Sequence, residues 1–339
     1  MIFLALLAAL LFAGAAYETL GGYLDRRRFP PRGRILPAGS LRLHIDEQGA
    51  GTPAVILEAG IAASSLSWTL VQPLIAKFTR VVSYDRTGLG WSSGCSLPRT
   101  LPAMLNEFDS LLASAALPPP YILVGHSFGG LLVRAWAFHH PDRVAGLVFI
   151  DPVSLEYWGA CPARERKRLA IGASLARRGK LLSRFGIVRA ALAALAAGGK
   201  TLPMLIGRAT ARPAMSAMQR LAGEIRKLPP ETWPVIRSHW SRAKCLGALA
   251  AYLDCLPQAA HEALAMPIPP AIPFIVLSAA NATPAERAER NSWVQASAHA
   301  RHELLPNTGH WIPFERPDAV VSAVEELVRQ SRRRPFTEV

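Results

Sequence analysis

The sequence predicts an α/β fold, a mostly parallel sheet flanked by helices. Three observations carry that expectation. Short uninterrupted apolar runs recur at Ala54-Val55-Ile56-Leu57, Tyr121-Ile122-Leu123-Val124 and residues 144–150. Strands buried on both faces of a parallel sheet read this way instead of alternating. Segments with helical spacing, 67–78 and 101–115, lie between those runs. Finally, Gly125-His126-Ser127-Phe128-Gly129 joins the strand at 121–124 to the apolar, helix-like run 131–138 with no linker.

Along the chain, residues 2–17 are uninterrupted apolar sequence, and only Glu18 separates them from 19–24. At about 1.5 Å per residue, 2–24 would reach across a bilayer core of about 30 Å. A cleaved signal peptide should open with basic residues, and none precede Ile2. The expectation is therefore a membrane anchor over residues 1–24, with Glu18 toward one end and a signal peptide, suggested by the small residues 13–16, as the alternative. Arg26, Arg27, Arg28, Arg32 and Arg34 follow directly, and the positive-inside rule puts the rest of the chain in the cytoplasm. Pro30, Pro31 and Gly33 make 29–33 a linker.

Residues 41–45 alternate and read as a half-exposed strand, 54–57 as a buried one and 80–84 as another. Pro73 interrupts the helical spacing of 67–78. Thr100 can cap a helix over 101–115, with Pro102 tolerated in its first turn. The glycines of Asp85–Trp91 are not followed by Lys-Ser/Thr, so a P-loop is rejected. Asp151-Pro152 stands at the carboxyl end of the strand 144–150, the edge where open α/β sheets place ligands. Strands are expected again at 272–277 and 301–305, then a terminal helix near 319–330. Between them, 153–262 reads as helices and loops.

Half of the residues are hydrophobic and 18% are charged, which allows a sizeable core and argues against disorder. The net charge of +14 suggests an anionic partner. No nucleic-acid motif accompanies it, so no nucleic-acid partner is expected. The charge is concentrated: 153–262 holds eighteen Lys and Arg against six Asp and Glu, which is twelve of the fourteen net positive charges. Within it, 181–195 interleaves Arg184 and Arg189 with apolar residues. It reads either as a solvated face or as an interfacial basic helix on anionic lipid. Cys95, Cys161, Cys245 and Cys255 have no metal-site spacing, and a Cys245–Cys255 disulfide stays open for an exported domain.

Together Leu57-Glu58-Ala59-Gly60, the stretch Tyr84-Asp85-Arg86-Thr87-Gly88-Leu89-Gly90-Trp91-Ser92 and the Gly-x-Ser-x-Gly turn resemble the α/β-hydrolases of the serine-nucleophile type, in their bacterial esterase-like branch. The resemblance covers roughly residues 33–332. It implies a hydrolase core over 33–152 and 267–332, with a helical cap inserted at 153–266. It also implies Ser127 as nucleophile and His310, in a loop after the last strand, as base. The implied oxyanion donors are the N–H groups of Phe128 and Ile61, although Ala59 stands where family members often have His. Glu58 reads as a structural hydrogen-bonding residue. The acid departs from the commonest pattern, because the seventh strand runs into Ser278-Ala279-Ala280-Asn281 and no carboxylate follows until Glu286. Some members take the acid from the end of the sixth strand, where Asp151 stands. Asp151 is the expected acid, with Glu286 or a Ser–His dyad as alternatives.

The implied reaction cleaves a carboxylic ester or thioester of a small or lipid-like molecule through an acyl-enzyme, with no metal or cofactor. Amide or carbon–carbon bond cleavage is the alternative within the fold. A non-catalytic membrane-bound binding protein is the alternative outside catalysis.

Overall fold

The computed structural model describes residues 1–94, 98–197 and 227–333. Cys95 and part of the expected cap, 198–226, lie outside them. The sheet follows from the alternation hidden inside its apolar runs. In β3 (Ala54–Glu58), Ala54 and Ile56 join one core while Val55 and Leu57 join the other. The same division holds for Leu123 against Val124 in β5 (Tyr121–His126), and for Phe149 against Val148 in β6 (Val144–Ile150). Each strand thus needs apolar cover on both faces, which only a helix-flanked sheet supplies.

Among the described residues eight strands form one sheet, in the order β1-β2-β4-β3-β5-β6-β7-β8. Here β1 is Arg34–Ala38, β2 Leu41–Gln48, β4 Val81–Asp85, β7 Phe274–Ala279 and β8 Ala300–Leu305. Both pairings of β2 are antiparallel, and every pairing from β4 to β8 is parallel. The linker at 29–33 leads into β1, which the sequence reading left out. Pro37 lies within it, and an edge strand tolerates a missing N–H.

One face is covered by α3 (Leu101–Ala115) and α4 (Phe128–His139). The Thr100 hydroxyl accepts the Ala103 N–H and so caps α3. Over the other face lie α2 (Gln72–Ile75) and the terminal helix Pro317–Arg333, whose Val320, Val324, Leu327 and Val328 are buried. The continuous helix expected over 67–78 is instead a 3₁₀ turn, Ser65–Trp68, followed by α2. Pro73 has no N–H to continue an earlier helix, and it sits in the first turn of the new one.

Between β6 and β7 the described residues form helices α5 (Leu155–Ala160), α6 (Ala163–Ser183), α7 (Ile187–Ala196), α8 (Trp233–Trp240) and α9 (Ala243–Leu264). The long α9 packs along α5 and α6 and reaches down to α4. Residues 181–195 are therefore not one helix. The chain breaks at Gly186, at φ +69°, where the Tyr17 ring stands 2.6 Å from where a Cβ would be. Cys161, Cys245 and Cys255 are free thiols. Cys245 and Cys255 lie ten residues apart on one helix, about 15 Å along its axis, beyond the reach of a disulfide.

The N-terminal helix α1 (Ile2–Arg28) is long and apolar enough to cross a bilayer. Its most apolar 18-residue window has a mean hydropathy of 1.9 and no buried residue.

Candidate active site

Ser127 stands between β5 and α4 with φ 55° and ψ −118°, a backbone region that costs a non-glycine residue about 1–3 kcal/mol. Tight packing enforces it. A Cβ on Gly129 would lie 2.3 Å from the Glu58 carbonyl oxygen, and one on Gly125 would lie 2.6 Å from the Gly129 carbonyl. The Ser127 N–H donates to Ile150 O at 2.9 Å, which ties the turn to the end of β6. Asp151, one residue further on, is also at positive φ, 39°. Two strained residues thus meet at the carboxyl edge of the sheet, where strain marks functional sites.

The loop after β8 brings His310 to that edge. Its Nδ1 donates to Asp151 Oδ2 at 2.6 Å. The His126 Nε2–H donates to the His310 carbonyl oxygen at 2.8 Å, and the two rings stand 4.8 Å apart. Burial, helped by the nearby His310, pushes the His126 pKa down to about 3, so His126 is neutral and serves as a strut. Glu286 is engaged elsewhere. It closes a capping box with Thr283 at the start of α10 (Pro284–Gln295), accepting the Thr283 N–H at 2.7 Å.

Asp151 has a further partner that the sequence reading missed. Arg290, buried on α10, donates to Asp151 Oδ1 at 2.9 Å, to Ser278 Oγ at 2.7 Å and to Pro152 O at 2.7 Å. The Ala279 N–H adds a bond to the same Oδ1 at 3.2 Å. Burial works against the Asp151 charge, but the His310 hydrogen bond and the Arg290 cation outweigh it and hold its pKa below the usual carboxylate value. Its charge therefore stabilises the fold above the unfolded pKa of about 3.9, and that contribution is lost as pH falls through the lower folded value. Replacing Arg290 with Gln should raise the Asp151 pKa. Acid unfolding followed by circular dichroism should then set in at higher pH, and an acid transition that stays in place would contradict this electrostatic role.

On the other side of Ser127, a Cβ on Gly60 would lie 3.3 Å from Ser127 Cβ, so the 59–61 loop is packed against the serine. Arg86 fixes this loop from below, donating to Ala59 O at 2.6 Å and Gly60 O at 2.5 Å. In a trans peptide the N–H points opposite to the C=O, so the Ile61 N–H is directed away from Arg86. Among the described residues neither the Ile61 nor the Phe128 N–H has an acceptor; Phe128 opens α4, where helix N–H groups have no internal partner.

Arg86 is in turn ion-paired to buried Glu58, which also accepts the Tyr84 hydroxyl. The Arg86 Nε–H donates to the Tyr252 hydroxyl at 3.1 Å, and Arg99, paired with Glu107 at 2.6 Å, donates to the same hydroxyl at 3.2 Å. Tyr252 of α9 thus links the helical segment to the floor of the site. Glu58→Ala would leave the Arg86 charge buried without its carboxylate. A loss of about 3–5 kcal/mol of stability is expected in urea denaturation.

The sequence model of the Alpha/beta hydrolase family matches residues 54–323, most of the chain. The chain belongs to that family. Among curated relatives, a 2-hydroxymuconate semialdehyde hydrolase from Pseudomonas sp. (strain CF600) is 31% identical over 163 residues, covering 41% of this chain and 54% of the relative. The uncharacterized protein YqjL of Bacillus subtilis (strain 168) is 32% identical over 105 residues, covering 31% and 42%. The chain thus spans about half or less of the length of these relatives. Among solved structures, a thermophilic esterase from Thermogutta terrifontis superposes with a TM-score of 0.59 at 20% identity, covering 88% of this chain and 98% of that one. The enol-lactonase from Burkholderia xenovorans LB400 gives 0.57 at 21%, covering 87% and 100%. At these identities the structural likeness speaks for the fold.

Proposed function

We propose that this α/β-hydrolase is a serine hydrolase that cleaves a carboxylic ester or thioester, held at a membrane by α1. The observation that carries the reading is the 2.6 Å hydrogen bond from His310 Nδ1 to Asp151, at the sheet edge where Ser127 occupies its strained turn. The Ser127 hydroxyl attacks the carbonyl carbon while His310 takes its proton. Asp151 holds the imidazole tautomer and stabilises the imidazolium. The N–H groups of Ile61 and Phe128 bind the oxyanion, at about 3–4 kcal/mol per donor. The imidazolium protonates the leaving alcohol or thiol. Water, deprotonated by His310, then releases the acid and restores Ser127. No step calls on a metal or cofactor.

In this reading 33–152 and 267–332 are the core, 153–266 is the cap and α1 is the anchor. The arginines after α1 put the catalytic domain on the cytoplasmic side. The test is a fluorophosphonate probe with a panel of esters, thioesters and amides of graded acyl length. Covalent labelling with ester or thioester turnover is expected. A chain that is neither labelled nor active on any of them would be a binding protein on a hydrolase scaffold.

A further inference from the structure

The second half of α1 does not hang free; it is docked on the segment between β6 and β7. Arg189 of α7 donates to Glu18 through Nε at 2.8 Å and Nη2 at 3.1 Å, and through Nη1 to Asp25 at 2.5 Å. Its side chain is only 12% exposed. Gly14 and Gly21 let α1 approach the segment 185–189 closely. A Cβ on Gly14 would lie 2.4 Å from Phe185 O, and one on Gly21 would lie 2.7 Å from Arg189 Nε. The contact pairs rise together, 14 with 185, 17 with 186 and 21 with 189, so the chain from Phe185 into the first turn of α7 climbs along α1. Below Gly14 the helix is bare and apolar, with Ile2, Phe3, Leu6, Leu10 and Phe12 all exposed. Where that bare half begins, the turn from α6 to α7 presents Leu181, Leu182 and Ile187 to solvent, with exposed Arg184 among them.

We infer that this turn is a second membrane contact, seated in the headgroup layer of the bilayer that receives the bare half of α1. A helix that is rigid through Gly14 cannot enter lipid without carrying Phe185 and its neighbours to the lipid boundary. Three exposed aliphatic side chains suit the shallow acyl region, and an arginine among them reaches the phosphates. The paired carboxylates explain why Glu18 and Asp25 are tolerated beside an apolar segment. They meet a guanidinium of the docked helix in charge-assisted bonds, and this pairing keeps the turn at a fixed height on α1.

The inference rests on the reading of α1 as a membrane helix, and one experiment separates the two. The full chain is placed in vesicles of phosphatidylcholine and phosphatidylglycerol carrying a diazirine high on the acyl chain. After photolysis the lipid adducts are mapped by mass spectrometry. Adducts are expected on residues 2–13 and on the peptides containing Leu181, Leu182 and Ile187. With Arg189→Gln, α1 should stay labelled, and circular dichroism should show the chain still folded at the labelling temperature. Labelling of the turn should fall about tenfold as the clamp opens. Absence of adducts on α1 would sink the membrane-helix reading itself. Adducts confined to α1 would overturn the second contact, whether water or another copy of the chain covers the turn. Turn labelling unchanged in Arg189→Gln would remove the clamp from the account.

Discussion

Ser127→Ala should lose all fluorophosphonate labelling and about 10⁶-fold in kcat, the scale seen when a serine nucleophile is removed from a working triad. The folded state should barely register the change. The turn is held by the backbone of Ser127: its N–H reaches Ile150 O at 2.9 Å, and its C=O accepts Gly130 N–H at 3.0 Å and Val153 N–H at 3.3 Å. Alanine keeps all three bonds and sits under the same strain at φ 55°. Melting temperature should therefore match the parent while activity disappears. Glycine at the same position, freed of the strain, should melt higher and be equally inactive. Labelling that survives in the alanine variant would move the nucleophile elsewhere.

The fold was legible wherever local pattern and burial agree. Runs such as 121–124 are apolar at every position because both sheet faces are covered, and Thr100 caps its helix through a contact three residues away. Ser127 could be singled out because its turn is local, and Asp151 because it ends a recognisable strand. Less visible were the groups whose partners lie far along the chain. Arg290 sits in a polar helix and reads as a solvated face; only its packing against residues 151, 152 and 278 makes it a buried cation. Arg86 and Tyr252 are 166 residues apart, and nothing in either segment announces the other. Glu18 looked like a flaw in an apolar run, because its partner Arg189 follows 171 residues later. Burial rules place arginine outside unless it is paired, and pairing is a tertiary property.

Asp151→Asn should keep the fold and cut turnover by about 10⁴-fold, the loss seen when a triad acid becomes an amide. Two effects combine. An amide presents either a neutral oxygen or an N–H to His310 Nδ1, so it stabilises the imidazolium less and can favour the wrong tautomer. Arg290 also loses its carboxylate, and its remaining acceptors are Ser278 Oγ and Pro152 O. The buried guanidinium then faces His310 without the intervening negative charge, which further disfavours an imidazolium. Glu286→Gln should change turnover little, because that carboxylate caps its own helix and a glutamine can still accept from Thr283. The pair of variants separates the alternatives in one assay. A large loss in Glu286→Gln with Asp151→Asn near parent activity would transfer the acid to α10. Near-full activity in both would mean that Ser127 and His310 act as a dyad and that the Asp151–Arg290 pair is structural.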